Sequence, residues 1–491
     1  MFLVVLIVLW CALFALWWNV KPRQPSPPVY PGALPIIGHA HHMLGGLSQL
    51  WQVESDVYRF CMENGGVTEF RLGPRSIYVL ADLDDCLTVA NTCFDKPYIY
   101  DFGKKLYDRG LVTAPAVIWK SHRKILNPAF NQQILNTFVQ EYNVQARRLV
   151  TELASEAGKD QFDVVPYLKN IVLRSVYKTM IGVNPKDENQ ERIITDYGRA
   201  LGIFYASMVE RLQSVWLHLP VFYNMSDLKK RQEAVIKTLK NLSQTIIRIR
   251  KSELKQNLYS DSTKEATSGY KSMLDLLLDG GENQEFTDEE IREHLDTLIA
   301  ASFDTTRVTL TFALILIGSY PDVQTRIWKE LQEVLGGPEK DVTRHDLPKL
   351  VYLEAVIKET LRLYTPAPKI GRCSQSAVQL KDYTFPAGTT FILSLYAMNR
   401  NPVWGADVNE FNPERWLNPD TLPDNPNAFA AFSIGKRNCI GKHSAMKFIK
   451  TTLAYILRRY RVTGNIKNVQ CQSDLVLKPI IGHHIGLQLR T

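Results

Sequence analysis

The chain has 491 residues, of which 45% are hydrophobic and 22% are charged, which is an ordinary balance for a globular protein. The formal net charge of +8 is modest for this length and no long block of like charge occurs, so no nucleic-acid partner is predicted. Seven cysteines without regular spacing argue against a disulfide framework and predict reduced thiols.

The N-terminus carries an uninterrupted apolar run over residues 2–18, at the lower end of the length that spans a bilayer as a helix. Two tryptophans close the run, and Lys21 and Arg23 follow it. The positive charges place the C-terminal side in the cytosol. A cleaved signal peptide is the alternative, but it normally has a basic segment before the apolar run. Residues 1–20 are therefore predicted to be a retained membrane anchor.

A proline-rich stretch follows the anchor, with six prolines between Pro22 and Pro35. Such a composition is incompatible with a helix and is typical of a semi-rigid spacer. Residues 21–38 are predicted to be this hinge, and residues 39–491 a single catalytic domain without internal repeats.

Helical patterns dominate the rest of the chain. The longest predicted helices are Asn127–Leu153, Glu233–Leu254, Asp288–Leu316, Val323–Leu335 and Lys442–Arg458. The predicted strands are short: Val67–Phe70, Ser76–Val79, Thr389–Leu393 and Ile485–Leu489. A polar segment without periodicity, Gln256–Gly269, is predicted to be a loop.

One stretch near the C-terminus, Phe432–Gly441, has the pattern F-x-x-G-x-R-x-C-x-G. A buried structural cysteine needs no such surroundings, whereas a thiolate bound to a metal cofactor does. Glycines allow a sharp turn, and the N-terminal end of the next helix adds positive potential near the sulfur. We interpret Cys439 as an axial haem ligand, Phe432 as a shield of the sulfur and Arg437 as a partner of a haem propionate. The alternative is a buried free cysteine in a glycine-rich turn.

This stretch resembles the cysteine-ligand loop of cytochrome P450 haem-thiolate monooxygenases. The resemblance implies a mainly α fold with a large helical domain and a small β-rich subdomain. It also implies haem b held by the Cys439 thiolate–iron bond and otherwise by non-covalent contacts. Some fatty-acid hydroxylases of the family form an ester from a glutamate to haem, but Ala301 stands at the matching position.

Two further segments match the family in its usual order. Glu359-Thr-Leu-Arg362 resembles the E-x-x-R helix, and Arg415 lies in a segment that resembles the family's PERF motif, with Trp416 in place of the usual phenylalanine. The resemblance implies that Glu359, Arg362 and Arg415 form a structural triad beneath the haem. Surface pairs are the usual context of E-x-x-R, but apolar neighbours here favour burial.

The resemblance also predicts groups that contact the haem propionates. Trp119 and Arg123 match the W-x-x-x-R of one helix, and Arg372 matches a further propionate-binding arginine. A solvated surface charge is the alternative for either arginine.

Residues 301–306, read A-S-F-D-T-T, resemble the oxygen-activation motif within a long helix. The resemblance implies that Thr305 holds water near bound dioxygen and that Asp304 relays protons. Back-bonding of threonines within the helix is the alternative. Ser302 replaces the more usual glycine, which raises the question of how it affects the helix and water access.

Segments around Pro128, Pro402 and Cys439 resemble the microsomal clan of fatty-acid omega-hydroxylases and related insect enzymes. The resemblance implies O2-dependent monooxygenation with electrons from the membrane-bound NADPH–cytochrome P450 reductase, with cytochrome b5 as a further possible partner. It implies an endoplasmic reticulum protein with its catalytic domain on the cytoplasmic side. Five lysines near the haem-flanking segments are candidates for a basic docking surface: Lys120, Lys124, Lys436, Lys442 and Lys447.

The substrate pocket is predicted to be apolar, and its substrate to be a fatty acid, a hormone-like lipid or a xenobiotic. By family correspondence its lining comes from Tyr100–Val117, Leu201–Phe222, Leu298–Thr305, Pro366–Ile370 and Ile480–Ile481. Parts of residues 201–222 are candidates for membrane contact, with core packing as the alternative. Two other functions stay open at this point: a reductase-independent haem-thiolate isomerase or dehydratase, and a non-catalytic haem- or lipid-binding protein.

Overall fold

The computed structural model describes residues 5, 8–12, 26–182, 188–260, 271–278, 286–337 and 339–490. Most of the predicted anchor, residues 1–20, lies outside this part of the chain. Within it, one helix is long and apolar enough to cross a membrane, Asp288–Ser319, and 72% of its most apolar window is buried inside the domain. That burial is typical of a core helix of a globular domain.

The described α-helices are α1 (Leu47–Glu63), α2 (Leu83–Thr92), α3 (Lys104–Tyr107), α4 (Ala116–Leu126), α5 (Gln132–Leu153), α6 (Val165–Val176), α7 (Glu188–Gln213), α8 (Pro220–Met225), α9 (Asp227–Ser260), α10 (Met273–Leu278), α11 (Asp288–Ser319), α12 (Pro321–Leu335), α13 (Val351–Leu363), α14 (Leu395–Met398) and α15 (Lys442–Arg459). The strands are β1 (Val67–Leu72), β2 (Arg75–Leu80), β3 (Phe162–Asp163), β4 (Lys369–Cys373), β5 (Val378–Gln379), β6 (Thr384–Phe385), β7 (Thr390–Ser394), β8 (Tyr460–Thr463), β9 (Gln470–Ser473), β10 (Leu477–Ile481) and β11 (His484–Leu489).

The predicted mainly α character with small sheets is confirmed, but several helix ends differ from the prediction. Helix α5 begins at Gln132 rather than at residue 127, because Pro128 opens a separate 3-10 turn and the Asn131 side chain caps α5 by accepting from the Ile134 N–H at 2.9 Å. Helix α9 continues to Ser260, so the predicted loop start at residue 256 is wrong. The rest of that predicted loop lies outside the described residues.

Two sheets flank the helical core. The larger has the order β1-β2-β7-β4, in which β2 and β7 are parallel and the other pairs are antiparallel. A three-stranded sheet has the order β3-β11-β8, and the remaining strands form the pairs β9–β10 and β5–β6. Helix α11 crosses the centre of the main core and packs against α6, α13 and α15, among others. This arrangement places the middle of α11 across from the loop that precedes α15.

Part of the proline-rich stretch, predicted as a semi-rigid hinge over residues 21–38, is bonded to the domain. The Tyr30 N–H donates to the Glu69 carbonyl at 3.0 Å, and the Glu69 N–H donates to the Pro28 carbonyl at 2.9 Å. These bonds pair the stretch with the edge of β1, whose backbone groups would otherwise lack partners. The catalytic domain therefore includes residues from about Pro28 onward.

Buried polar groups hold the N-terminal half of α11 in place. The His294 imidazole is fully buried and lies 2.9 Å from a ring nitrogen of His122 on α4. Burial, together with the neighbouring His122, lowers the pKa of His294 to about 3, while Glu290 opposes this shift weakly. The folded protein therefore keeps His294 neutral at pH values where the unfolded chain would protonate it.

This burial predicts a pH-dependent stability. The pKa of His294 in the folded protein lies below its unfolded value of about 6.5. As the pH falls below 6.5, the unfolded chain therefore binds a proton that the folded protein does not, and the unfolding free energy decreases. At pH 5.5 we expect this histidine to cost about 1.4 kcal/mol of unfolding free energy relative to pH 7.5. Urea unfolding of the wild type and His294→Gln at both pH values measures it. An equal loss of stability in the two proteins on acidification would contradict the expectation.

Candidate functional site

The loop Phe432–Gly441 forms a tight turn immediately before α15. The Cys439 N–H donates to the Phe432 carbonyl at 2.9 Å, and the Ser433 N–H donates to the Ala430 carbonyl at 2.8 Å. From α4, the Arg123 guanidinium donates to the Asn438 carbonyl at 2.8 Å and to its side-chain oxygen at 3.2 Å. These bonds place the Cys439 sulfur at a defined position beside the start of α15.

Two glycines of this loop have different roles. Gly435 has φ of +69°, and a Cβ there would lie 2.8 Å from the Ala90 Cβ and 2.9 Å from the Ala90 carbonyl oxygen. Glycine is thus required here both for the backbone turn and because the loop packs closely on α2. A Cβ on Gly441 would lie 3.9 Å from the Cys439 sulfur, which is an ordinary van der Waals contact, so the space at this position does not by itself require glycine.

The surroundings of the Cys439 sulfur act on it in opposite directions. Burial raises the pKa of the Cys439 thiol above its usual value, and hydrogen bonding from the Gly441 backbone, the Arg123 charge and the Lys442 backbone lower it. These stabilising groups come from the first residues of α15 and from α4. They favour an anionic sulfur once a positive partner such as a metal ion faces it.

Cys439 opens onto a large internal cavity of about 650 Å³. One side is formed by α11, whose lining residues are Thr297, Leu298, Ala300, Ala301, Ser302, Thr305, Thr306 and Thr309. Another is formed by the cysteine loop and α15. The cavity therefore lies between the centre of α11 and the Cys439 sulfur, and its walls are mostly apolar.

Three cations meet at one side of this cavity: Lys96, Arg372 and Arg437. Burial and then the charges of Arg372 and Arg437 lower the pKa of Lys96 well below its usual value. Burial and then the Arg372 charge lower the pKa of Arg437 to about 9. The Arg372 Nε is buried without a hydrogen-bond partner. Such a cluster calls for an anionic ligand, since buried charges are normally paired.

The residues predicted to contact the haem propionates all line the cavity, but Arg437 also has backbone partners. Trp119 and Arg123 on α4 line the cavity, as do Arg372 and Phe432. Arg437 also lines it, with its guanidinium carbon 4.9 Å from the centre of the Trp119 ring. However, Arg437 already donates to the backbone carbonyls of Phe94, Leu111 and Ala114, so it also fixes the segment that covers this side of the cavity.

Glu359 on α13 accepts a dense set of hydrogen bonds and is fully buried. Arg362 donates to both carboxylate oxygens at 2.9 and 2.8 Å, and Arg415 donates at 3.0 Å. The structure thus brings the three predicted triad residues together. It adds Trp416, whose indole N–H donates to Glu359 at 2.9 Å. A phenylalanine at this position could not make that bond.

The two α11 residues predicted to act on oxygen point differently. The Thr305 hydroxyl lines the cavity and donates to the Ala301 carbonyl at 2.7 Å. The Asp304 carboxylate instead forms an ion pair with Arg307 at 3.1 Å, and Asp304 is not among the described residues that line the cavity. Thr305 therefore lines the cavity, whereas Asp304 is held in an ion pair outside its lining. Helix α11 is continuous through this region.

The remaining cavity walls follow the predicted segments with one exception. Residues from 100–117, 201–222, 298–305 and 366–370 line it as predicted. Residues 480–481 do not; the C-terminal contribution comes from Asp474, Leu475 and Val476 instead, and Ile481 is 53% exposed at the irregular end of β10.

Sequence reasoning missed several contributors to the cavity. Among them are a face of α1 with Leu50, Glu54 and Tyr58, residues of β1, β2 and α6, and Lys96. No local motif marks these sets. The amphipathic spacing of α1 at four-residue intervals was the available signal for its inward face.

The fold and the cysteine-centred cavity define a haem-thiolate enzyme. The profile of the family described as Cytochrome P450 matches residues 27–484. Relatives include cytochrome P450 4V2 of Mus musculus, 30% identical with 95% of this chain and 90% of the relative covered, and cytochrome P450 4V2 of Homo sapiens, 30% identical with 96% and 91% covered. Cytochrome P450 4c3 of Drosophila melanogaster is 28% identical, with 94% and 89% covered.

The chain belongs to the cytochrome P450 family and is a monooxygenase of that family with haem as its cofactor. The mammalian and insect relatives agree with the predicted clan. Family membership implies dioxygen, a lipophilic substrate and a redox partner. The residues present fit haem, because a thiol, apolar walls and an uncompensated cation cluster face one cavity.

The buried position of Glu359 predicts a large effect of its removal. Glu359→Gln leaves the fully buried Arg362 without a carboxylate, while Arg415 keeps its ion pair with Asp407, so we expect a loss of about 3–5 kcal/mol in unfolding free energy and a lower haem content. Urea unfolding and the haem-to-protein absorbance ratio measure these. Glu414→Gln, which breaks an exposed ion pair with Arg326, is the matched control and should cost less than about 1 kcal/mol. Equal effects of the two substitutions would contradict a special role of Glu359.

Proposed function

We propose that this protein inserts one atom of O2 into a lipophilic substrate, a fatty acid, a hormone-like lipid or a xenobiotic, with electrons from NADPH through a membrane-bound reductase. The observation that supports it most is the meeting of Cys439, the cations Lys96 and Arg372, and the α11 residue Thr305 in one mostly apolar cavity. When bound, haem supplies the iron at which dioxygen is activated.

In this proposal the chain's own residues divide the work. The Cys439 thiolate is the iron ligand, and Arg123, the backbone of Gly441 and the start of α15 stabilise its charge. The side of the cavity that we propose holds the haem propionates, here called the propionate side, is formed by Lys96, Trp119, Arg123, Arg372 and Arg437. The small side chains of Ala301 and Ser302 leave room on the α11 side of the cavity.

Thr305 is the cavity-facing hydroxyl that we propose holds the water and proton needed at bound dioxygen. Its present donation to the Ala301 carbonyl leaves its oxygen lone pairs available as acceptors. Asp304 is held by Arg307, and we propose that it takes part in proton delivery only when this ion pair opens.

Removal of the sulfur is the direct test of the proposed iron ligand. Cys439→Ala is expected to abolish the strongly red-shifted Soret band of the ferrous–CO complex, because that band requires a thiolate ligand. Cys471→Ala, which removes another free cysteine, should retain it and serves as the control. Loss of the band in both variants, or in neither, would contradict the assignment. Turnover of lipids with NADPH and reductase then separates a monooxygenase from an isomerase that needs no reductase.

The candidate docking surface for the reductase lies around the cysteine loop. Four of its predicted lysines are exposed, namely Lys120, Lys124, Lys436 and Lys442, while Lys447 is half-buried and donates to Asn136. An acidic partner surface, either the reductase or cytochrome b5, would complement these charges and approach the thiolate side of the haem.

Charge reversal tests this surface. We expect Lys436→Glu with Lys442→Glu to raise the reductase concentration for half-maximal turnover about five- to tenfold at low ionic strength, and much less at high ionic strength. Lys329→Glu on α12, an exposed lysine away from the loop, is the control. If the reductase concentration for half-maximal turnover depended on salt in the same way for the double variant and for the control, the docking surface would lie elsewhere.

We further propose an endoplasmic reticulum location with residues 1–20 as the anchor and the catalytic domain on the cytoplasmic side. Support comes from an exposed apolar surface between α7 and α9, where Trp216 is 54% and Phe222 is 52% exposed. By contrast, Leu201 and Phe204 are buried, so that part of the predicted membrane segment belongs to the core. A contiguous exposed apolar surface of this kind suits contact with lipid.

A further inference from the structure

A second polar group lies in the wall of the cavity, apart from the cation cluster, on α1 and β4. It consists of Glu54 and Tyr58 on α1 and Lys369 on β4, all three of which line the cavity. Lys369 lies three residues before Arg372 on an extended strand, so its Cα is about 10 Å from that of the arginine. The group is therefore separated from the propionate side by a substantial part of the cavity wall.

The three side chains carry unused hydrogen-bonding capacity. Lys369 forms an ion pair with one carboxylate oxygen of Glu54, and the other oxygen of Glu54 is buried without a partner. Tyr58 is 2% exposed, and its hydroxyl lies beside the Glu54 carboxylate without a well-formed hydrogen bond. Burial, the neighbouring Glu54 charge and the interaction of the hydroxyl with the Glu54 carboxylate raise the pKa of Tyr58 well above its usual value, so the hydroxyl stays a donor. Buried polar atoms left in this state normally have a partner.

The surroundings of this group are apolar. The lining residues next to it on α1 and the adjoining sheet include Leu50, Val53, Val57, Ile77 and Ile392. Among the residues that the structure describes, and apart from the cations near the cysteine loop, the charged lining residues are Glu54, Lys369 and Asp474, and Asp474 is paired with Lys478. Each carboxylate in this part of the cavity thus already has a lysine, which leaves no net positive charge for an anionic ligand.

We infer that Glu54, Tyr58 and Lys369 form a recognition site for an uncharged hydrogen-bonding head group of the substrate, such as a hydroxyl or a carbonyl, and that they disfavour a free carboxylate. The Glu54 oxygen that Lys369 does not contact accepts a hydrogen bond from a hydroxyl head group, while Tyr58 and the remaining Lys369 protons donate hydrogen bonds to a hydroxyl or carbonyl oxygen. A carboxylate placed there would face the Glu54 carboxylate in an apolar environment, where like charges repel strongly. The inference rests on the proposed function, since it takes the cavity to hold a lipophilic substrate.

Three probes of equal chain length test this site: dodecan-1-ol, dodecanoate and dodecane, titrated into the full-length haem protein at pH 7.5. Binding is measured by the change in the Soret band and, independently, by the ligand-induced rise in Tm. We expect dodecanol to bind about tenfold or more tightly than dodecanoate in the wild type. Equal or tighter binding of dodecanoate would overturn the inference.

Two variants identify the residues responsible. Glu54→Gln keeps the shape and removes the repelling charge, so the preference for the alcohol should fall to within about threefold. Tyr58→Phe should weaken the binding of dodecanol about threefold or more and leave the binding of dodecane unchanged, because only a hydroxyl is lost. Glu233→Gln, which alters an exposed ion pair with Lys105 outside this cavity, is the control and should keep the wild-type preference. A preference that survives in Glu54→Gln would also overturn the inference.

The outcome separates this site from the proposed function. One outcome is that NADPH-dependent turnover is absent, while the preference for the alcohol is present in the wild type and lost in Glu54→Gln. This outcome would contradict the proposed function and support the site. Turnover with dodecanoate as the preferred ligand would support the proposed function and contradict the site.

Discussion

The buried carboxylate of Glu359 is the interaction on which the position of the cysteine loop depends. A charge without access to water must be compensated in full, and here Arg362, Arg415 and Trp416 converge on it. Arg362 in turn donates to the Asn399 carbonyl at 2.9 Å, and the Asn399 side chain accepts from the Ala430 N–H at 2.8 Å. This chain of bonds connects α13 to the beginning of the turn that presents the sulfur.

The cavity itself is organised by charge as much as by shape. Cations gather beside the cysteine loop, where an anionic cofactor group and an anionic sulfur both require them. Elsewhere in the cavity the charged side chains are paired, as in Glu54 with Lys369. The thiolate side and the substrate side therefore differ in electrostatic character within one continuous space, so the cofactor and an apolar substrate can occupy it together.

Much of the site was predictable where the chemistry is local. The turn around Cys439 and the i, i+3 spacing of Glu359 and Arg362 are short-range patterns, and the structure shows both. Asp304 was not predictable in the same way, because its side-chain direction depends on the competing ion pair with Arg307. Helix ends also differed where a single residue decides them, as Pro128 does before α5.

The sequence by itself determined the family, the haem cofactor and the candidate iron ligand, since these rest on residue types at fixed short spacings. Only the tertiary structure decided which distant segments meet: the inward face of α1, Lys96 beside Arg372, and the indole of Trp416 on Glu359. The physical reason is that burial and charge pairing depend on neighbours hundreds of residues away. Lys369, an ordinary lysine in the sequence, becomes part of a polar site only because β4 places it next to Glu54.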